Sequence, residues 1–199
     1  MAEMSWQERV FCGSAPWGWF ARAVVLPWAL QQEELEGDVL EIGSGSGAVA
    51  AALLERFPAI RLTATDYDPR LVETLEHRLA PFASRARATR ADAAALPFTE
   101  GSFDTVVSFL MLHHVGRWED AIGEAVRVLR TGGRLLAYDL VGSPVTRAVH
   151  RLGGDRGERP IEWPLLRPLL DSLPVTGVHA RRSGLVFRLK ARKAALTPT

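Results

Sequence analysis

The chain has 199 residues, with 24 Lys and Arg against 23 Asp and Glu and a formal net charge of +1. That length suits one domain burying roughly 70% of its extended-chain surface, and 47% hydrophobic with 24% charged residues excludes a disordered or fibrous chain. The balanced charge argues against a protein that grips nucleic acid through phosphate neutralisation, and one cysteine, Cys12, excludes an intrachain disulfide or a cysteine-built zinc cluster.

Met1 to Val10 carries Glu3 and Glu8 and no apolar core, unlike a secretory signal. Residues 5–32 hold four of the six tryptophans (Trp6, Trp17, Trp19 and Trp28) and predict helices with a break near Pro16 and Gly18. The longest apolar run, Ala23 to Leu30, falls far short of the ~20 residues that cross a bilayer, and Pro27 interrupts it. No membrane span and a soluble, cytoplasmic protein are therefore expected.

From residue 37 strand and helix alternate. Val39 to Ile42 predicts a first strand, and the helix after it places Val49, Ala50, Leu53 and Leu54 on one side. Arg61 to Thr65 predicts the second strand. Asp68 then offers an N-cap, with Pro69 at the first helical position and Leu71, Leu75 and Leu79 at four-residue spacing. Further strands are expected near Arg87 to Arg90 and at Thr105 to Phe109. A helix from about Trp118 to Arg130 would bury Ile122, Ala125, Val126 and Leu129 and end at Gly132-Gly133. Arg134 to Leu140 predicts the fifth strand.

Strands alternating with helices need crossover connections, so a parallel sheet covered on both faces is expected. Residues 174–182 and 185–192 instead predict a hairpin turning at Ser183-Gly184, adding antiparallel strands at one edge. On its last strand Phe187, Leu189 and Ala191 face one way. Arg188, Lys190 and Arg192 face the other, a row expected to be a solvated edge rather than an anion site.

The chemistry concentrates in Leu40-Glu41-Ile42-Gly43-Ser44-Gly45-Ser46-Gly47-Ala48, between a strand and a helix. Glycines there allow a tight turn and the close approach of a ligand, and the helix N-terminus points free N–H groups at the same crevice. Two ligands fit this loop. As G-x-G-x-x-A (Gly43, Gly45, Ala48), with Asp66 for a ribose hydroxyl, it fits a dinucleotide fingerprint. As E-x-G-x-G-x-G (Glu41, Gly43, Gly45, Gly47) it fits an S-adenosylmethionine loop.

The segments downstream bear on that choice. Arg90 to Phe98, Gly101-Ser102-Phe103-Asp104, Val106-Val107-Ser108, Leu112-His113-His114-Val115 and Val128 to Leu136 resemble, in order, consecutive motifs of the class I S-adenosylmethionine-dependent methyltransferases of the small-molecule type. The resemblance covers about residues 37–140, and the family's antiparallel final hairpin matches 174–192. It implies a Rossmann-like, doubly wound α/β fold. Its mostly parallel seven-stranded sheet would end in an antiparallel C-terminal hairpin, with helices on both faces. A single domain, 1–199, would then comprise a helical lid (1–36), a cofactor-binding core (37–140) and a substrate-side segment with the hairpin (141–199). A nicotinamide enzyme would need more than the 59 residues that follow Leu140.

The resemblance also implies roles. The Gly43, Ser44, Gly45 and Gly47 backbone would line the methionine end of the cofactor, with Glu41 organising the loop. Asp66 would accept from both ribose hydroxyls, a task suited to a carboxylate. Tyr67 would pack on the adenine, Asp92 accept from its amino group and the Ala93 N–H meet a ring nitrogen. Ser108 or Phe109 would approach the methionine part, and Asp104 would be structural. No metal is implied.

Methyl transfer is an in-line displacement for which the protein supplies alignment, exclusion of water and, where the acceptor needs it, a base. His113 and His114 follow the fourth strand and can titrate near neutrality. Either could be that base or a packed histidine, and Tyr138 and Asp139 are alternative polar groups near the acceptor. The tryptophans of 5–32 could wall an apolar pocket or pack the lid. Residues 142–164, with Arg147, His150, Arg151, Arg156 and Arg159, could cover an anionic acceptor or form a solvated loop. The expected function is methyl transfer from S-adenosylmethionine to a small-molecule acceptor, leaving S-adenosylhomocysteine. The alternatives are a non-catalytic cofactor-binding relative and a protein or nucleic-acid methyltransferase. No Asn-Pro-Pro-Tyr type motif follows the fourth strand, and the charge balance also speaks against nucleic acid.

Overall fold

The computed structural model describes residues 14–144, 146 and 161–195. Its frame is one seven-stranded sheet of β1 (Gly37–Ile42), β2 (Ile60–Asp66), β3 (Ala86–Arg90), β4 (Phe103–Phe109), β5 (Leu129–Leu140), β6 (Val175–Ser183) and β7 (Val186–Lys193), in the order β3-β2-β1-β4-β5-β7-β6. The first five strands are parallel, and β7 runs antiparallel to both β5 and β6. This is the expected mostly parallel sheet with an antiparallel C-terminal hairpin. The direction of strand addition reverses between β1 and β4. Crossovers leave to opposite sides there, which opens a crevice at the carboxyl ends of those two strands.

Helices cover both faces. Helix α1 (Ala15–Phe20), α2 (Leu26–Leu30), α3 (Ala48–Arg56) and α4 (Pro69–Leu79) bury Leu30, Leu53, Leu54 and Leu75 against Val39, Val107 and Leu136. Helices α5 (Trp118–Val128) and α6 (Trp163–Ser172) bury Trp118, Ile122, Leu166 and Leu170 against Val106, Leu135 and Phe187 on the other face. In α4 the four-residue leucine repeat is the buried stripe, with Leu71, Leu75 and Leu79 at 4%, 0% and 3% exposure. Each such leucine contributes about 1.5–3 kcal/mol of transfer free energy. Asp68 caps α4 as expected, accepting from the Arg70 N–H at 2.9 Å.

Three expectations are corrected. The N-terminal helix does not break at Pro16 and Gly18. Ser14 caps α1, Pro16 sits in the first turn, where no N–H is needed, and Gly18 continues the helix. The interruption lies at Ala21–Val25, one π-helical stretch in which the Leu26 N–H reaches the Ala21 carbonyl. It precedes Pro27, which has no N–H to continue the α-helical ladder. Helix α5 stops at Val128, not at Gly132-Gly133. Leu129 is already extended (ψ 141°) and paired with Phe103, and the two glycines lie where the β4–β5 register shifts. Finally, the Arg188-Lys190-Arg192 row is not an edge, because β7 lies between β5 and β6. Lys190 pairs with Glu33, Arg188 covers the Trp28 ring and Arg192 donates to the Gly132 carbonyl.

At the amino ends of the strands Asp104 has the structural role expected of it. It accepts from the Asp38 N–H at 2.8 Å and from Arg130 at 2.5 Å. Burial pushes its carboxyl up, but the Arg130 bond and the Asp38 N–H hold it below the ordinary carboxylate value.

Candidate active site

The crevice at the β1/β4 switch holds a cleft of about 730 Å³ of atom-free space. Its floor is Glu41, Gly43, Ser44, Gly45 and Ser46. One wall is Asp66, Tyr67 and Asp68, the other Phe109, Leu110, Met111 and His114, and Trp17 closes it from α1.

The glycine loop is pinned to the end of β2. The Ser44 N–H donates to the Thr65 carbonyl at 2.8 Å, and the Thr65 hydroxyl donates to the Glu41 carbonyl at 2.9 Å. The Asp66 carboxylate accepts from the Gly45 N–H at 2.9 Å and the Asp68 N–H at 3.0 Å. Burial raises the Asp66 pKa above its ordinary value, and these backbone bonds oppose the rise. A carboxylate offers about four lone-pair sites. Asp66 therefore braces the loop and retains acceptor capacity toward the cleft it lines.

Two glycines of the motif do different work. At Gly43 the φ is +71° and a Cβ would collide with the Met111 side chain, which lies over the loop. At Gly47 the φ is +81° and a Cβ would strike Leu75 of α4. Gly47 is off the cleft wall and serves the packing of α3 on α4.

Glu41 is 2% exposed, and burial pushes its carboxyl up to about 7; the Ser44 bond opposes this and the Asp66 charge adds to it. Its Oε2 is buried with no hydrogen-bond partner among the described residues. Such an atom costs free energy until something donates to it. A donor-bearing, cationic group in the cleft would satisfy it, and the ammonium of S-adenosylmethionine is of that kind.

On the adenine side Tyr67 lines the cleft. Arg90 lies over its ring at 5.5 Å and donates to its carbonyl at 3.0 Å. Asp92 and Ala93 stand in the turn after β3, off the described cleft wall. Asp92 Oδ1 accepts from the Ala94 N–H at 2.9 Å, and Ala93 is buried. That turn is held from α5. Glu124 accepts from the Leu96 N–H at 2.8 Å, and Arg127 donates to the Leu96 and Phe98 carbonyls. The bond from Arg127 keeps the Glu124 carboxyl below its ordinary value.

On the methionine side Phe109 lines the cleft, whereas Ser108 is buried behind it with its hydroxyl unpartnered among the described residues. Leu110 has φ +53°, a left-handed conformation that costs a non-glycine residue of order 1–3 kcal/mol. Its N–H bonds the Tyr138 carbonyl at 2.7 Å. The bend turns Met111 over Gly43 and brings His114 to the cleft.

The two histidines separate. His113 is 5% exposed, and its Nδ1 is hydrogen-bonded to Asp139, which is fully buried. Asp139 also accepts from the Met111, Leu112 and Leu140 N–H groups at 2.9, 2.6 and 2.6 Å. Asp139 thus fixes the loop and does not face an acceptor. His114 lines the cleft, its ring 4.0 Å from that of His113. Sequence reasoning missed Met111, Leu110 and Arg90. It placed Asp139 near the acceptor, although a lone aspartate in an apolar strand marks a buried polar anchor. Trp6 and residues 147–159 of the basic segment lie outside the described residues.

Residues 40–137 match the family described as a methyltransferase domain. The chain is 31% identical over 137 residues to the demethylmenaquinone methyltransferase of Thermus thermophilus, covering 69% of this chain and 60% of that protein. It is 38% identical over 109 residues to the ubiquinone/menaquinone biosynthesis C-methyltransferase of Paracoccus denitrificans, covering 54% of this chain and 44% of that one. The chain thus spans about half of the length of these curated relatives. Its fold is shared, at 13% identity and a TM-score of 0.73, with phosphoethanolamine N-methyltransferase 2 of Haemonchus contortus, solved in complex with S-adenosyl-L-methionine; 89% of this chain and 53% of that one are covered. Residues 40–137 therefore form a methyltransferase domain of the class I S-adenosylmethionine-dependent family.

Proposed function

We propose that the protein transfers a methyl group from S-adenosylmethionine to a small-molecule acceptor. The observation that carries this reading is the buried, unpartnered Oε2 of Glu41 beside the glycine loop at the sheet's switch point. When bound, the cofactor supplies a methyl group activated by a sulfonium. The chain's residues do the rest. Glu41 accepts from the ammonium, Asp66 from the ribose hydroxyls, and Tyr67, braced by Arg90, packs on the adenine. Asp92 and the Ala93 N–H serve the adenine edge once their turn closes on it. Trp17, Phe109 and Met111 exclude water and present an apolar wall to the reacting part of the acceptor. His114 takes the proton of the acceptor nucleophile, and His113, held by Asp139, positions it.

The test is calorimetric titration with S-adenosylhomocysteine, with NADH as control. Micromolar affinity for the first, roughly −8 kcal/mol, with no heat from the second is expected. Binding of NADH alone would overturn the reading in favour of a dinucleotide enzyme. Acceptor screening then tests the base. His114→Gln should lower turnover by about 10²–10⁴-fold at unchanged cofactor affinity. Unchanged turnover would remove His114 from the chemistry.

A further inference from the structure

A second cavity, about 820 Å³ of atom-free space, lies between the end of α2 and the β6/β7 hairpin. Its chemistry is cationic. His179, Arg181, Arg188 and Lys190 line it, over a floor that includes Leu136. Glu33 is the one carboxylate among its lining residues, and it is engaged by Lys190 and Arg134.

Arg181 and Arg188 are different. They are directly opposite each other across β6 and β7, an arrangement of like charges that destabilises a sheet. Neither makes an ion pair with a carboxylate among the described residues; Arg188 only covers the Trp28 ring, at 5.9 Å. Gln31, at the lip of the cavity, is held at φ 52°, ψ −116°, a strained conformation for a side-chain-bearing residue. Repulsion and backbone strain collect at one groove, without internal compensation.

The groove is in register with the proposed active site. Phe109 pairs with Tyr138, Tyr138 with Arg188, and Arg188 with Arg181, so the four form one row across β4, β5, β7 and β6. At about 4.8 Å per strand step Arg188 stands roughly 10 Å and Arg181 roughly 14 Å from the Phe109 wall of the cleft. Trp28, packed edge-on against Tyr138 at 5.2 Å and 39% exposed, lies along the way. Two guanidinium groups side by side offer the donor geometry that carboxylates and phosphates accept bidentately.

We propose that this groove binds the carboxylate or phosphate of the methyl acceptor, with Arg181 and Arg188 as the residues that select an anionic acceptor. The anion site stands on the groove itself; its assignment to the acceptor rests on the methyl-transfer reading above.

The experiment titrates inorganic pyrophosphate into the full chain saturated with S-adenosylhomocysteine. Saturable binding is expected, weakened roughly tenfold or more in Arg181→Gln and in Arg188→Gln. Arg61→Gln, on β2 four strands from β7 and paired with Asp38, serves as control and should match the wild type. The free Arg181→Gln protein should melt at the same or a higher temperature than wild type, because a like-charge neighbour is removed. A lower melting temperature would point to a structural arginine and count against the site. Absence of saturable binding, or undiminished binding in the double variant, overturns the proposal. So does association with phosphatidylglycerol vesicles without pyrophosphate binding, since the arginines would then read a lipid surface. If pyrophosphate binds through the arginines while S-adenosylhomocysteine does not bind, the anion site stands and the methyl-transfer reading falls. Among acceptors that turn over, anionic ones should show a lower KM than neutral analogues at similar kcat, and Arg181→Gln should erase the difference.

Discussion

The β1–β2–β4 half of the sheet and the β5–β7–β6 half handle polar groups in opposite ways. In the first, the functional loop is wired to backbone. Ser44 bonds Thr65, Gly45 bonds Asp66, and Asp68 caps α4. In the second, the groove beside α2 is lined by contacts between side chains, as Glu33 makes with Lys190 and Arg134, or Arg188 with Trp28. Backbone-wired geometry depends on a few residue types at fixed spacing, so it serves one ligand in many proteins. Side-chain geometry can be redrawn without disturbing the sheet, and the proposed anion groove that would select the acceptor lies in this second half.

The sharpest way to break this division is Asp139, which sits in the second half yet fixes the loop of the first. Asp139→Ala leaves the Met111, Leu112 and Leu140 N–H groups and His113 without their buried acceptor. We expect about 3–5 kcal/mol of lost stability, read by urea unfolding. A loss below about 1 kcal/mol would mean that the Met111–His114 loop is held by packing alone.

Next in size is the pH dependence from Glu41. Its carboxyl titrates ordinarily at 4.5 and is pushed up to about 7 by burial. Between those values the folded chain keeps the proton that the unfolded chain has released. The stability carried by the neutral carboxyl is therefore complete below 4.5 and lost as pH rises through 7, by about 3 kcal/mol at most. Glu41→Gln removes that component. Its stability relative to wild type should rise between pH 4.5 and 7, while the slope from the raised Asp66 carboxyl cancels in the comparison. A pH-independent difference would show that Glu41 is ionised in the folded chain already.

Asp66 tests the backbone-wired half directly. Asp66→Ala removes both the brace on Gly45 and the proposed ribose acceptor, and should weaken S-adenosylhomocysteine binding by about 1–3 kcal/mol. Unchanged affinity in a folded variant would separate loop bracing from cofactor recognition.

The same contrast governs what the sequence made legible. Strand and helix positions followed from hydrophobic period, because Leu71, Leu75 and Leu79 or Val106 and Val107 have to be buried whatever the ligand. The Asp68 cap and the glycine loop carry their chemistry in residue type and spacing. The end of α5 was misplaced because Gly132-Gly133 is a helix stop by local propensity, while Leu129 already pairs with Phe103 through a long-range contact. Met111 over Gly43 and Asp139 under His113 join segments in the same way, and no local pattern announces them. The Arg188 row misled for a related reason. Alternation shows that its side chains share a face, but only the strand order shows that β7 is an interior strand of the sheet and not its edge.

The smallest effect expected is at the seam between the two kinds of geometry. Arg90 donates to the Tyr67 carbonyl, a backbone contact, and also covers the Tyr67 ring, a side-chain contact. At an exposed site a cation–π contact contributes about 0.5–1 kcal/mol. Arg90→Lys keeps a charge over the ring but loses the planar donor to the carbonyl. Arg90→Gln keeps a donor and loses the charge. If the ring contact orders Tyr67 for adenine, S-adenosylhomocysteine affinity should fall about two- to fivefold in Arg90→Gln and less in Arg90→Lys. The reverse order would assign the effect to the carbonyl bond, and with it return Tyr67 to the backbone-wired half of the site.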